Sequence, residues 1–228
     1  MFPLNDTLVR SSSLGGQLAA LLRDRIIRGE IPPGTHLVEE TLAETYDVSR
    51  GPVRDAIKLL RSDNLVADQR RGVQVIGLDA QSVRDLYAVR GALETLAVTE
   101  AINQLAGADV QVTMKDSLRG MQLAATGRLR AEFSAHDLQF HRGIYEATAN
   151  RPLIGLWQAI EPLFASMLTV TNEEDADLVP TAEDHRELYD AILNTDSVRS
   201  LRLLKLHLDG SERRMLHALE SIWHRAQL

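Results

Sequence analysis

Apolar residues at Leu14, Leu18, Leu21, Leu22 and Ile26 fall at three- and four-residue steps along LGGQLAALLRDRIIRGE, which predicts a helix ending near Gly29. IPPGT cannot continue it, because two prolines and a glycine interrupt the chain. A short helix is predicted from about Glu39 to Tyr46, with Leu42 and Ala43 turned inward. DVS then makes a turn, and Ser49 takes the N-cap of a helix from Arg50 to Ser62 whose first turn tolerates Pro52. Val53, Ile57 and Leu60 share one side of that helix and should bury, while Arg50, Arg54, Lys58 and Arg61 lie away from it. Two strand-like pieces follow, LVAD and GVQVIG, joined by QRRG as a basic hairpin tip.

From about Asp79 onward no strand pattern is convincing. Helix-period segments occupy about 80–105, 109–126, 130–149, 152–171, 182–194 and 197–224, broken by AGAD, ATG, ANRP, TNEEDADLVPT and NTDS. They predict an all-helical antiparallel bundle. The expected fold is mainly α, with an N-terminal winged helix-turn-helix over 1–76 and a helical domain over 77–228, joined by the short connection Gly77 to Asp79.

Charge distinguishes the two halves. The 228-residue chain has a formal net charge of −7, but residues 1–76 hold 10 Lys plus Arg against 10 Asp plus Glu. The remainder, with 15 against 22, carries the whole excess. Residues 50–71 have six basic and three acidic side chains. In a winged helix-turn-helix this is where the second helix enters the major groove, so the basic face reads as a DNA footprint. Phosphate attraction depends on the charges at the contact, and an acidic total does not oppose it. Hydrophobic residues at 44% and charged residues at 25% fit a soluble globular protein. No run approaches the roughly 20 apolar residues of a membrane span, and MFPLNDTLVRSSSLGG does not read as a secretion signal. The chain has no cysteine, which excludes disulfides and thiol chemistry and fits a cytoplasmic protein.

In DLQFH, Asp137 and His141 stand four residues apart and share a helix face. The spacing alone admits a surface pair or two ligands of one metal ion. His185 in EDHRELYDAI and His207 in LLKLHL sit on two further predicted helices with apolar neighbours. One carboxylate and three imidazoles meet only if three helices turn the right faces inward, which spacing does not determine.

The head resembles the DNA-binding domain of the GntR family of bacterial transcription regulators. GEIPPGTHLVEETLAETYDVSRGPVRDAIKLLRSDNLV, followed by RRGVQV, holds the family's P-P-G-T turn, L-A-E, V-S-R-x-P-V-R-x-A and a wing with R-G. The resemblance implies that Ser49, Arg50 and Arg54 contact an operator from the recognition helix and that Arg71 and Gly72 enter the minor groove from the wing. Glu40 stands where some members have a further DNA-contacting arginine, and Gly51 where Thr or Ser is usual, which removes one phosphate hydrogen bond.

The body, through DLQFHRGIYEATANRPL, EDHRELYDAI and LLKLHL, resembles the FCD ligand-binding domain of the FadR-like branch. That resemblance implies one divalent ion per chain on Asp137, His141, His185 and His207, zinc first and nickel or manganese next. His36, His136, His217 and His224 match no ligand position. It also implies a small organic-acid effector with Arg90, in LYAVRGALE, as its second cationic partner. Tyr145, Asn150 and Arg142 are further candidates to line the pocket. The expected assembly is a homodimer presenting two heads to a pseudo-palindromic DNA operator, commonly as a repressor released by ligand.

A DNA-binding regulator, not an enzyme, is therefore the expected function. The alternative is a metal-dependent enzyme acting on a small carboxylate substrate, for which Glu146 or Glu94 would have to serve as acid or base. A third reading is a dimerising body built around a structural metal.

Overall fold

The computed structural model describes residues 13–70, 72–104 and 108–225, and the chain divides into two compact units, Met1–Gly77 and Leu78–Leu228. The first unit contains α1 (Leu14–Ile27), α2 (Glu39–Thr45) and α3 (Arg50–Ser62). With them stands an antiparallel sheet of β1 (His36–Leu37), β2 (Val66–Gln69) and β3 (Gly72–Val75), in the order β1-β3-β2. β3 is central, with Gln69 of β2 opposite Gly72 and His36 of β1 opposite Gln74. The sequence pattern did not reveal β1, since two residues carry no alternation to read.

Ser13 starts α1 by accepting a hydrogen bond from Gly16 N at 3.1 Å. α1 packs on α3, and Leu18, Leu22, Ile26, Val53, Ile57 and Leu60 are all buried. Each such aliphatic side chain contributes about 1.5–3 kcal/mol on full burial. Gly15 permits the close approach: a Cβ there would stand 2.8 Å from Asp55 Cβ and 3.0 Å from Pro52 O. Gly15→Ala is expected to cost the head about 1–3 kcal/mol, seen as faster hydrogen exchange of α1 and α3 amides. Unchanged exchange would mean that the two helices separate without loss.

At the other end of α3, Arg23 Nη2 lies 2.7 Å from Asp63 Oδ2, both side chains buried. Burial holds the Asp63 carboxyl above its ordinary value despite Arg23. One local expectation fails here. Leu42 and Ala43 are only half-buried, because the seven-residue α2 leans on α3 and has no enclosed face. Ser49 takes the N-cap of α3 but makes no capping hydrogen bond.

The second unit is a bundle of α4 (Ala80–Gln104), α5 (Ala108–Gly127), α6 (Arg130–Ala147), α7 (Arg151–Glu174), α8 (Val179–Leu193) and α9 (Ser197–Arg225). No strand occurs among its described residues. Asp79 caps α4 by accepting from Ser82 N at 2.7 Å, and Asn150 caps α7 by accepting from Leu153 N at 3.2 Å. Arg128, Ala149 and Thr195 adopt φ of 55°, 52° and 55° in the connections after α5, α6 and α8, where left-handed residues end helices abruptly. α8 begins at Val179, ahead of the predicted 182, because Pro180 in a first turn starts a helix as readily as it breaks one.

α7 alone among the described helices is long and apolar enough, by length and composition, to cross a membrane. It packs against α6 and α9, burying Leu153, Trp157, Leu163, Phe164 and Met167. Among the largest fully buried side chains of the bundle, beside Trp157, Tyr145, Phe133, Phe140 and Phe164, is one guanidinium, Arg90.

Candidate metal centre and nucleic-acid interface

Asp137 and His141 project from α6, His185 from α8 and His207 from α9, and all four are buried. One ring nitrogen from each histidine lies within 4.8 Å of the other two. Asp137 joins them: Oδ1 is 3.6 Å from His141 Nε2, and Oδ2 is 3.6 Å from His185 Nε2. Two donors on a tetrahedral zinc stand about 3.4 Å apart, given ligand distances of about 2.1 Å, so these separations suit a shared ion with little movement. Asp137 Oδ1, His141 Nε2 and His185 Nε2 have no hydrogen-bond partner despite burial. Buried polar atoms rarely stay unpaired, and three imidazoles with one carboxylate fit zinc or a neighbouring first-row ion.

The side chains of this cluster are themselves held. His185 Nδ1 is 2.7 Å from Thr181 O; since a carbonyl only accepts, Nδ1 carries a proton and Nε2 is the nitrogen that faces the cluster. Glu94 Oε2 stands 3.0 Å from His141 Nδ1, and Glu94 Oε1 accepts from Arg90 Nε at 2.6 Å. Glu94 thus stands between Arg90 and His141, a position the sequence did not reveal. The signal was present as an i,i+4 pair, Arg90 and Glu94, but such pairs usually face solvent. Here α4 packs against α6, and the pair is buried. Glu94→Gln is expected to weaken metal binding about 10- to 100-fold, measured by competition with a chromophoric chelator. Unchanged affinity would leave Glu94 as a partner of Arg90 only.

Burial alone would raise the Asp137 carboxyl, but His185, His141 and Arg90 bring it down to about 2. Burial of Glu94 is likewise outweighed by Arg90 and His141, which lower it to about 2. Burial, with His185, His141 and Arg90 nearby, pushes His207 well below its ordinary value and keeps it a neutral donor. Burial lowers His141 against the pull of Glu94. For His185 burial is overcome by Asp137 and the Thr181 carbonyl, and the group is raised.

Arg90 is 1% exposed and lies over the rings of Trp157 and Phe164, at 5.6 and 4.9 Å from their centroids. Its Nη1 and Nη2 have no hydrogen-bond partner, nor do Tyr145 OH and Trp157 Nε1. Tyr145 stacks on Trp157 at 4.8 Å, and the Trp157 ring is 6.4 Å from that of His141, so these donors lie beside the histidine cluster. Asn150 and Arg142 are otherwise engaged: Asn150 caps α7 and donates to Glu100 at 3.2 Å, and Arg142 pairs with Glu161 at 2.6 Å. His136 lies over Gly120, where any Cβ would meet its ring. Of the acids an enzyme would need, Glu146 is exposed on α6 and Glu94 is fixed between Arg90 and His141.

In the first unit Ser49, Arg50 and Arg54 are exposed at the start of α3. The face is not the open positive stripe that spacing predicts. Arg50 Nη2 pairs with Glu40 Oε1 at 2.6 Å and Arg54 Nε with Glu39 Oε2 at 2.8 Å. Lys58 Nζ pairs with Asp55 Oδ1 at 3.1 Å and Arg61 Nη2 with Asp68 Oδ1 at 2.6 Å. Gly72 opens β3 at φ 88° with open space where a Cβ would point, so backbone conformation rather than crowding favours glycine. Arg71, expected at the wing tip, lies outside the described residues.

Known proteins match both units. Residues 14–75 match the bacterial regulatory proteins of the gntR family, and residues 85–210 match the FCD domain. The gluconate operon transcriptional repressor of Bacillus subtilis (strain 168) is 30% identical over 225 residues, covering 95% of this chain and 89% of the relative. The Uxu operon transcriptional regulator of Escherichia coli (strain K12) is 25% identical, covering 88% and 86%. A solved GntR regulator from Rhodococcus sp. RHA1 has a TM-score of 0.66 at 25% identity over 90% of this chain and 99% of that one. E. coli McbR/YncC reaches 0.72 at 21% identity over 91% and 99%, a likeness of fold. A helix-turn-helix head followed by a helical FCD domain defines a DNA-binding transcription regulator, not an enzyme. The chain belongs to the GntR family.

Proposed function

We propose that this regulator is a homodimeric repressor that leaves its operator when a small organic acid binds at a divalent metal in the FCD domain. Residues 77–228 would carry both effector binding and dimerisation. Asp137, His141, His185 and His207 would hold the ion, zinc before nickel or manganese, and Arg90 would meet the acid's carboxylate. One observation carries this reading: a single buried region holds unpartnered donors of two kinds, the ligand atoms of Asp137, His141 and His185 and both Nη atoms of Arg90. The ion, when bound, supplies a positive centre that takes a carboxylate oxygen. Glu94 occupies Arg90 through Nε and so aims the remaining two Nη donors, which suit a carboxylate. Tyr145 OH and Trp157 Nε1 offer hydrogen bonds to a hydroxylated acid. Similarity to the gluconate operon repressor makes gluconate the first ligand to test.

Ser49, Arg50 and Arg54 would read each half-site from α3, with Arg71 and Gly72 at the wing. The acid acts only through its differential affinity for the DNA-competent and incompetent arrangements; a coupling of about 1–3 kcal/mol gives about a 5- to 150-fold change in operator affinity. Such a regulator works in the cytoplasm, with the DNA it controls.

The test titrates zinc-loaded, full-length protein, bound to a duplex selected from a random pool, with gluconate and a panel of other organic acids. Release of DNA by one acid, lost in Arg90→Gln while zinc stays bound, supports the reading. Persistent DNA binding in every acid, with zinc in place, would reduce the metal to a structural support.

A further inference from the structure

We propose that Glu39 and Glu40 are specificity-determining residues of the head: Glu39 holds Arg54 ready for a base edge, and the two carboxylates together suppress binding to arbitrary DNA. The inference rests on α3 being the recognition helix. Both acids come from the first turn of α2 and reach across to α3, at 2.8 Å for Glu39 with Arg54 and 2.6 Å for Glu40 with Arg50. Together with Asp55 and Asp68 they match each cation of α3 with one carboxylate. Binding to arbitrary sequence is driven by net positive charge meeting phosphate, and here that charge is compensated before DNA arrives.

The geometry also distinguishes the two pairs. Glu39 takes Arg54 through Nε, which leaves both Nη atoms for the fork that guanine O6 and N7 accept. A base contact therefore keeps the Glu39 pair and gains from its fixed orientation. Arg50 differs: Glu40 takes its Nη2, so this pair chiefly compensates charge and leaves one terminal nitrogen for DNA. The pairs are exposed, with side chains 58% and 66% accessible for Arg50 and Glu40 and 60% and 40% for Arg54 and Glu39. Exposed pairs are weak, each worth about fivefold in an equilibrium at most, so they filter sequences without blocking the site. Carboxylates on the first helix of this motif, which crosses the DNA backbone, also repel phosphate directly.

The experiment uses full-length wild type and the Glu39→Gln/Glu40→Gln double variant, with a duplex selected by the wild type from a random pool and a shuffled duplex of equal length. The variant is expected to bind shuffled DNA about tenfold more tightly, and its affinity for that DNA to fall more steeply with salt, by about 0.9 in log-log slope for each arginine freed to meet a phosphate. Selected DNA is expected to bind within about threefold of wild type, so the ratio of the two affinities drops. An unchanged ratio, with both affinities rising together, overturns the proposal in favour of bulk charge. Loss of selected binding with shuffled binding constant also overturns it, and assigns the carboxylates to direct base reading. Arg54→Ala runs alongside: if it leaves selected binding intact, the recognition-helix reading itself fails and takes the proposal with it.

Discussion

Wild-type protein is expected to carry about one metal ion per chain, the loading a single four-donor site allows, and protein with His185 or His207 replaced by alanine to carry none. Each histidine would supply one of the donors of a buried cluster, and alanine offers no ligand atom in its place. The loss should exceed the roughly 10- to 100-fold expected for an outer partner such as Glu94. Elemental analysis of protein purified without a metal-affinity tag gives the count, and an ion retained by both variants would place the metal elsewhere. Chelation should also destabilise the wild type. An ion present at about 100 to 1,000 times its Kd contributes about 2.7–4.1 kcal/mol, which at about 2–4 °C per kcal/mol in a domain of this size is a fall in Tm of about 5–15 °C. His185→Ala should show no such fall.

The pH dependence of metal uptake follows from the same groups. His207 and His141 are lowered by burial and already offer neutral nitrogens at neutral pH. His185 is raised by Asp137 and the Thr181 carbonyl against the effect of burial, so in mildly acid solution the metal-free imidazole takes up a second proton that the ion must displace. Affinity should therefore fall as pH falls, first through His185, and binding in mildly acid buffer should release a proton to solution. Calorimetry in two buffers of different ionisation enthalpy measures that proton, and its absence would mean that His185 is already neutral before the ion binds.

The parts of the fold that were legible in the sequence are those where period and punctuation agree. Leu18, Leu22 and Ile26 mark α1, and Val53, Ile57 and Leu60 mark the inner face of α3, because each helix buries one side only. β1 and the start of α8 were not legible. The first has too few residues to show alternation, and the second begins at a proline whose meaning depends on which side the helix lies. At the candidate metal centre the residue types were readable, but their convergence depends on how α6, α8 and α9 turn against one another, which is a property of packing. Glu94 was hidden for a related reason: on a bare helix it pairs with Arg90, and only the tertiary fold puts it beside His141. The charge pairs of α3 were hidden because Glu39 and Glu40 lie ten to fifteen residues from their arginines, across the turn.

Arg54→Ala is expected to abolish most operator binding while leaving fold and metal content unchanged. The side chain is exposed at the start of α3 and contributes nothing to the core, so its removal leaves Val53 and Ile57 packed as before. A bidentate contact to guanine discriminates by about 1–3 kcal/mol. A dimer on a two-fold operator forfeits it twice, about 2–6 kcal/mol, or roughly 30- to 10⁴-fold in affinity. The Glu39 pair subtracts little, since an exposed ion pair is worth about 0–1 kcal/mol. Arg54→Lys separates the two components of binding: it keeps the charge for phosphate but not the fork for guanine. The lysine variant should therefore hold non-operator DNA much as the wild type does and still fail on the operator. If lysine restores operator binding fully, Arg54 acts as a charge and not as a reader; if alanine changes nothing, recognition lies away from α3, and the basic spacing from Arg50 to Arg61 is a solvated helix face.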